Sequence, residues 1–198
     1  MAVSSETKEP KERQVRKETA DKLVLAAVAE FNEHSFEGTD TNRIARRAGF
    51  APQTFYRWFD DKIGIFIKVY DLWQGQEASF LTKLLAEDAS DMRLVDALVA
   101  HHKAFLVFRR SLRRLSLEND IVRAERAKSR LNKVAWIRSW NPAATASASE
   151  LAVVLLQLER LTDALAEGEL RDMALDEGAC KQAVAEQISR LRSVRPSA

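Results

Sequence analysis

The sequence contains few residues that interrupt helices. It also lacks the alternating pattern of β-strands, a second cysteine for a disulfide and an apolar run long enough to span a membrane. Its 198 residues include 6 glycines and 4 prolines, and apolar residues do not alternate with polar ones as in a half-buried strand. The single cysteine, Cys180, excludes an internal disulfide and is typical of a reducing cytoplasm. No apolar run approaches the ~18 residues of a membrane span, and the charged N-terminus is unlike a signal peptide. We therefore expect an all-α cytoplasmic protein with no membrane partner.

The sequence also lacks the motifs of catalysis and of cofactor or metal binding. It contains no G-x-S-x-G, no P-loop and no glycine-rich dinucleotide turn. His101 and His102 are adjacent, so on a helix they point about 100° apart and cannot easily share one metal, and no Cys/His cluster exists. An enzyme would have to depend on scattered carboxylates. We expect no catalytic residue, no cofactor and no metal.

Residues 35–66 are the most informative stretch, because they read as two short helices joined by a glycine turn. Thr39 is suited to cap the first helix by accepting from a backbone N–H. Ile44, Ala45 and Ala48 give that helix one apolar side, and Gly49 ends it because glycine adopts the left-handed backbone cheaply. Phe50 is expected to fill the elbow.

The second short helix presents polar residues outward. Pro52 suits its first turn, where no backbone donor is needed, and Phe55 and Phe59 lie four residues apart and face inward. Asp61 is a good cap for a following helix that begins at Lys62. The outward residues Gln53, Thr54, Tyr56 and Arg57 can all bond to DNA. This layout is that of a helix-turn-helix DNA-reading unit.

The same segment resembles the DNA-binding domain of the TetR family of bacterial regulators. The chain supplies the residues of the family pattern in register: Phe36, Thr39, Ile44, Ala45, Ala48, Gly49, Phe50, Thr54, Phe55, Tyr56, Phe59, Lys62 and Ile65. Leu23, Ala27 and Phe31 form the buried stripe of the preceding helix. The match covers about the first third of the chain. Three positions depart from the pattern: Ser35 replaces glycine, Ala51 replaces the usual Ser or Thr cap, and Glu30 stands where an apolar residue usually packs.

The resemblance implies a homodimeric regulator, more readily a repressor than an activator, that places residues 52–59 in a major groove of operator DNA. Gln53 is the first candidate for base reading, because glutamine pairs with an adenine edge, and Asn42, Arg43 and Arg57 are the alternatives. Phosphate contacts are expected from Thr39, Thr41, Thr54, Tyr56 and Lys62, beside Pro52 at the helix start. The segment is locally basic, with Arg43, Arg46, Arg47, Arg57 and Lys62 against Asp60 and Asp61.

The rest of the chain predicts long helices, and we divide it into a mobile tail (1–16), a DNA-binding domain (17–62) and a helical effector-binding and dimerisation domain (63–198). The acidic and basic residues of the tail alternate, which favours a solubilising role over a DNA contact. Helices are predicted over 62–86, from Asp91, over Glu118–Trp140, over Glu150–Glu167 and over Asp176–Arg192. A broken piece is predicted around Arg109–Leu117, and a small-residue loop over 141–149.

Apolar stripes on the last two helices are the predicted dimer interface, although a stripe alone does not exclude packing within one subunit. In the TetR family the corresponding helices form a four-helix bundle across a two-fold axis. The stripes consist of Leu151, Val154, Leu155, Leu158, Leu161, Leu165, Val184, Ile188 and Leu191.

Aromatic and polarisable residues of the middle region are the candidates for an effector pocket, with ordinary core packing as the alternative for each of them. They are Tyr70, Trp73, His101, His102, Phe105, Phe108, Trp136 and Trp140. The stretch from His101 to Trp140 is strongly basic, which allows an acidic effector but is more often a solvated face. The alternative functions are a helical protein-interaction adaptor and a DNA-binding regulator that needs no ligand.

Overall fold

The computed structural model describes the backbone of residues 8–140 and 146–193 and the side chains of residues 17–139 and 146–192. The described residues contain helices and no strand, which confirms the predicted all-α class. The helices are α1 (Lys8–His34), α2 (Thr41–Arg47), α3 (Pro52–Phe55), α4 (Lys62–Ala86), α5 (Asp91–Ala104), α6 (Leu106–Glu118), α7 (Asp120–Trp140), α8 (Ala148–Glu167), α9 (Glu169–Asp172) and α10 (Gly178–Ser193). None of the helices, over the residues described, is both long and apolar enough to cross a bilayer.

The chain divides into two compact units, Met1–Gln74 and Gly75–Ala198. The boundary lies inside α4, twelve residues beyond the predicted domain end at residue 62. The first helix begins at Lys8, within the stretch for which the sequence predicts a mobile tail, while residues 1–7 lie outside the described part. Mobility of the tail therefore stays a prediction.

The core of the first unit is built on the predicted stripe of α1. Leu23, Ala27 and Phe31 are fully buried. The ring of Phe31 meets the edge of Phe66 from α4 at a centroid distance of 5.2 Å, and Phe36 packs on both rings. Such ring pairs add stabilisation beyond the area they bury. Three aromatic rings therefore join α1, the loop after it and α4.

The second unit has two apolar clusters that share α8 and α10. One cluster joins α5 to both helices through Leu94, Val95, Val99, Leu165, Cys180, Val184, Ala185 and Ile188. The other joins α7 to them through Val134, Ile137, Leu151, Leu155 and Leu191. Ser147 and Glu150 form a reciprocal capping box at the start of α8, which satisfies two otherwise unpaired donors.

The helix boundaries differ from the sequence-based expectations where a cap decides them. The predicted broken piece is the continuous helix α6, and Asn119 accepts from the backbone N–H groups of Ile121 and Val122, so α7 begins at Asp120. Asp176 accepts from the N–H of Gly178 and so precedes α10 rather than opening it. Residues 141–145 of the predicted loop lie outside the described part.

Candidate nucleic-acid interface

The turn between α2 and α3 has the geometry that its glycine predicts. Gly49 adopts φ +81°. Its N–H donates to the carbonyl of Arg46, and the N–H of Phe50 donates to the carbonyl of Ala45 at 2.9 Å. These two bonds form a Schellman motif, which satisfies carbonyl groups at the end of α2. The turn is therefore fixed by backbone hydrogen bonds.

The start of α2 corrects the role expected of Thr39. Asp40 is the cap, and its carboxylate accepts from the N–H of Arg43 at 2.8 Å. Thr39 is buried, and its hydroxyl donates to a carboxylate oxygen of Glu30 at 2.6 Å. A hydroxyl that is both buried and bonded to a carboxylate is not available to a phosphate. The predicted cap, Thr39, is wrong, because the Asp40 carboxylate accepts the hydrogen bond from the N–H of Arg43 instead.

The surface of α3 and of the turn that follows it presents most of the expected polar side chains. Gln53 and Arg57 are exposed, Thr54 is half-buried, and Tyr56 is 57% exposed. The Tyr56 hydroxyl lies 2.9 Å from the hydroxyl of Thr41 at the start of α2. The two predicted phosphate ligands therefore meet, and one hydrogen bond orients both.

The short helix α3 ends earlier than the predicted recognition segment, residues 52–59. It spans Pro52–Phe55, with Ala51 at a cap position that makes no side-chain hydrogen bond. Turns continue the chain, with the N–H groups of Trp58 and Phe59 both donating to the carbonyl of Phe55. Phe55 is fully buried, and its ring centroid lies 5.5 Å from that of Phe59, as their spacing predicts.

Lys62 has internal partners that the sequence did not reveal. Its Nζ donates to the carbonyls of Phe36 at 2.7 Å and Thr39 at 2.9 Å, and it lies 4.1 Å from the centre of the Phe36 ring. Burial lowers the pKa of Lys62, although Glu37 and Asp40 oppose that shift. At the start of α4, Asp61 accepts from the N–H of Gly64, which confirms the predicted cap. The ammonium fastens the loop before α2 to the first residue of α4.

The basic residues of this unit fall into two groups. Arg43 and Arg47 pair with carboxylates of α1: the nitrogens lie 3.3 Å and 3.1 Å from Glu30, and Arg47 also pairs with Glu33. Within the described residues, no ion pair joins Arg46 or Arg57 to a carboxylate, and both are exposed. Arg46 belongs to the predicted basic segment but not to the predicted DNA contacts. Arg46 lies four residues after the candidate Asn42, on the same side of α2, and this helical spacing is the signal that could have indicated it.

The expected effector residues separate into different environments. In the first unit, Tyr70 and Trp73 are buried and stacked. In the second unit, His101 lies between the rings of Phe80 and Phe105, and Phe108 follows at 6.4 Å from Phe105. Trp136 packs on the cluster of Val134 and Leu151. It also lines a surface pocket with Thr82, Leu85 and Arg192. The side chain of Trp140 lies outside the described part.

His102 belongs to a buried ionic network instead of an aromatic wall. Its Nδ1 lies 2.8 Å from a carboxylate oxygen of Asp163, and its Nε2 lies 3.6 Å from one of Glu77. Arg109 donates twice to Asp163, at 2.7 and 3.0 Å, and Lys133 bonds to Glu77 at 2.5 Å. Burial opposes the ionisation of both acids, but these cationic partners outweigh it and hold both carboxyl pKa values well below their usual range. The described residues hold no group of three metal-ligating side chains.

Most of the predicted interface residues pack inside the subunit. Six of the nine are buried by the chain itself: Leu151, Leu155, Leu165, Val184, Ile188 and Leu191. Val154, Leu158 and Leu161 are partly exposed. The outward apolar residues of α8 are Val153, 53% exposed, and Leu156, 46% exposed. The apolar stripe therefore marks the inner face of α8, as such a stripe does on any surface helix.

Comparison with known proteins agrees with this geometry. Residues 23–69 match the family model of bacterial regulatory proteins, tetR family. No curated protein gives a significant match.

Among solved structures, similar ones include a protein of Mesorhizobium loti MAFF303099 assigned to the TetR family, with 18% identity, a TM-score of 0.64 and coverage of 90% of this chain and 96% of that one. The fatty acid degradation regulator FadR of Bacillus halodurans has 19% identity, a TM-score of 0.53 and coverage of 87% and 93%. FadR of Bacillus subtilis, solved in complex with stearoyl-CoA, has 20% identity, a TM-score of 0.50 and coverage of 87% and 97%. These matches confirm the resemblance to TetR-family regulators and the fold that it implies.

Proposed function

We propose that this chain, with the helix-turn-helix of TetR-family regulators in residues 23–69, is a transcriptional repressor that binds specific operator DNA. The observation that carries the proposal is the outward polar surface of α3 and of the turn that follows it. Gln53, Tyr56 and Arg57 are exposed on a segment held by buried Phe55 and by the turn at Gly49. A rigid support with exposed polar side chains suits the reading of base edges and phosphates.

Within this proposal the residues have different tasks. Gln53 reads a base, while the paired hydroxyls of Thr41 and Tyr56 hold one phosphate, because one hydrogen bond already orients them. Arg57 and Arg46 supply positive charge that no carboxylate of the described residues pairs with. Pro52 sets the first turn of α3, which has no side-chain cap of its own.

A second copy of the chain completes the DNA-binding protein in this proposal. One short recognition helix covers a few base pairs, and a two-fold related pair reads half-sites about 34–36 Å apart. The outer face of α8, with Val153, Leu156, Gln157 and Arg160, is the part of the predicted bundle where the described residues leave large apolar side chains exposed. We place the dimer contact there, and assign most of the earlier stripe to the subunit core.

A small-molecule effector would release the operator by biasing the dimer against the DNA-matched spacing. The coupling needed is modest, about 1–3 kcal/mol. Stearoyl-CoA is the first ligand to test, because it is the compound in the Bacillus subtilis FadR complex. If neither it nor other small molecules release the DNA, a regulator without a ligand becomes the better interpretation.

The decisive experiment is selection of operator sequences from a randomised duplex pool, followed by binding measurements on the selected site. Gln53→Ala should relax preference at one position per half-site, at a cost of about 1–3 kcal/mol. Gln76→Ala, an exposed glutamine of α4, is the matched control and should leave the selected sequence unchanged. Failure of the wild-type chain to enrich any sequence would favour a protein-interaction adaptor.

A further inference from the structure

Glu30 is a buried carboxylate in the middle of the DNA-reading unit. It is 5% exposed, on α1, at a position where the TetR pattern has an apolar residue. An ionised side chain is rarely buried so deeply without donors around it. The Thr39 hydroxyl donates to Glu30 at 2.6 Å and Arg47 Nη1 donates at 3.1 Å, while Arg43 Nε forms an ion pair with it at 3.3 Å.

The partners of Glu30 lie on one face of α2. Arg43 and Arg47 are four residues apart and both pair with Glu30 of α1. Asn42 and Arg46, also four apart, are exposed, and among the described residues no ion pair joins Arg46 to a carboxylate of α1. The guanidinium of Arg43 is held a second time, since its NH1 lies 3.5 Å from the carbonyl of Gly38. Burial opposes ionisation of Glu30, yet the bonds from Thr39 and Arg47 and the charge of Arg43 prevail and lower its pKa. The carboxylate is thus negative at neutral pH and sits where the predicted basic surface begins.

We propose that Glu30 is a positioning residue that withholds Arg43 from DNA and thereby limits how strongly the reader binds phosphates irrespective of sequence. The proposal rests on the DNA-binding function proposed above. Non-specific affinity for DNA grows with each phosphate contact. Each contact with duplex DNA also makes the slope of log K against the logarithm of the salt concentration more negative by about 0.9. One arginine whose charge is neutralised by the buried Glu30 carboxylate therefore removes about one unit from that slope. Base reading by Gln53 then decides a larger share of the total affinity.

The test measures binding of the full-length chain to its selected operator and to an unrelated duplex, each over a range of salt. In Glu30→Gln the neutral amide keeps the shape and an acceptor for Thr39 but no longer neutralises Arg43. We expect the salt slope on both duplexes to steepen by about one unit, and the ratio of operator to unrelated affinity to fall. The double variant Glu30→Gln with Arg43→Gln should return to the wild-type slope.

A matched control separates this role from mere support of the fold. Glu33→Gln removes the exposed carboxylate that also pairs with Arg47. Glu33 hydrogen-bonds Arg47 and acts on Arg43 only through its charge at longer range. Because Arg43 and Arg47 both keep their pairs with Glu30, we expect this variant to leave the slope unchanged. Arg43→Gln alone, in a wild-type background, should also leave the slope unchanged. This measurement can be interpreted whether or not Glu30→Gln folds well. A decrease of about one unit in Arg43→Gln would show that Arg43 already contacts phosphate and would overturn the proposal.

The outcomes distinguish this proposal from the function on which it rests. Absence of sequence-selective binding by the wild-type chain would refute the proposed function. Selective binding with an unchanged slope in well-folded Glu30→Gln would refute only the role of Glu30.

Discussion

Asp163 offers the sharpest test of how the second unit is held together. Its side chain is 4% exposed and accepts from His102 at 2.8 Å and from Arg109 at 2.7 and 3.0 Å, while Arg113 NH1 lies 2.8 Å away. In Asp163→Asn the amide NH₂ replaces one acceptor oxygen and faces guanidinium donors. Arg109, itself 3% exposed, is left buried without its counter-charge.

The cost follows from this geometry. Removing one partner of a buried ion pair typically costs about 3–5 kcal/mol, which is a large share of the stability of an ordinary domain. For a domain of this size we expect the melting temperature to fall by about 10–20 °C. Thermal unfolding followed by circular dichroism measures the shift. The control is Glu169→Gln, which breaks an exposed pair with Arg160 and should cost at most about 1 kcal/mol.

The pH dependence provides a second readout. The pKa of Asp163 is depressed in the folded chain, because its cationic partners outweigh the burial that opposes ionisation. Its stabilisation is therefore complete above the ordinary carboxyl pKa of about 4 and is lost as the pH falls below that value. The difference between the wild-type chain and Asp163→Asn should stay constant from neutral pH down to about 5 and shrink in stronger acid. An Asp163→Asn variant that melts no lower than Glu169→Gln at neutral pH would contradict this role of Asp163.

Three further changes test separate features. Ser35→Gly should stabilise the first unit by about 0.5–1 kcal/mol, measured by urea unfolding. Ser35 adopts φ +63°, which costs an L residue about 1–2 kcal/mol, and the larger conformational entropy that glycine loses on folding offsets part of the gain. A loss of stability would contradict this. Lys62→Met should destabilise that unit by about 1–3 kcal/mol, because two carbonyls lose their donor. Unchanged stability together with weaker DNA binding would instead support the predicted role of Lys62 as a phosphate contact. Leu156→Glu should yield monomers in light scattering while Leu117→Glu, at another exposed leucine, stays dimeric; two unaffected dimers would place the interface elsewhere.

The sequence predicts those parts of the fold that local chemistry decides. Gly49 ends α2, Asp61 caps α4 and the stripe of Leu23, Ala27 and Phe31 is buried, because each depends on residues within one or two turns. The bounds of α4 also agree with the prediction. These are the features for which backbone geometry and helical period leave few alternatives.

Contacts between distant residues were not accessible in the same way. Lys62 reaches the carbonyl of Phe36, 26 positions earlier, and Thr39 turns inward to Glu30. No periodicity in the sequence predicts either hydrogen bond, because both depend on how α1, α2 and α4 pack. The inward stripe of α8 has the same origin: a helical pattern shows that one face is buried but not what covers it. The roles of the candidate contact, pocket and interface residues therefore stay predictions.

The turn at Gly49 also determines which substitutions the first unit can accumulate. A methyl group built there meets no atom within 4 Å, whereas one at Gly38 would come within 2.1 Å of the carbonyl oxygen of His34. At Gly38 a larger residue is excluded because its side chain would clash with the backbone. At Gly49 there is open space, but the left-handed backbone at φ +81° strains any L residue. Asparagine tolerates that backbone better than other L residues. A substitution scan should therefore retain Asn at position 49 above the smaller Ala, an order opposite to that of side-chain size.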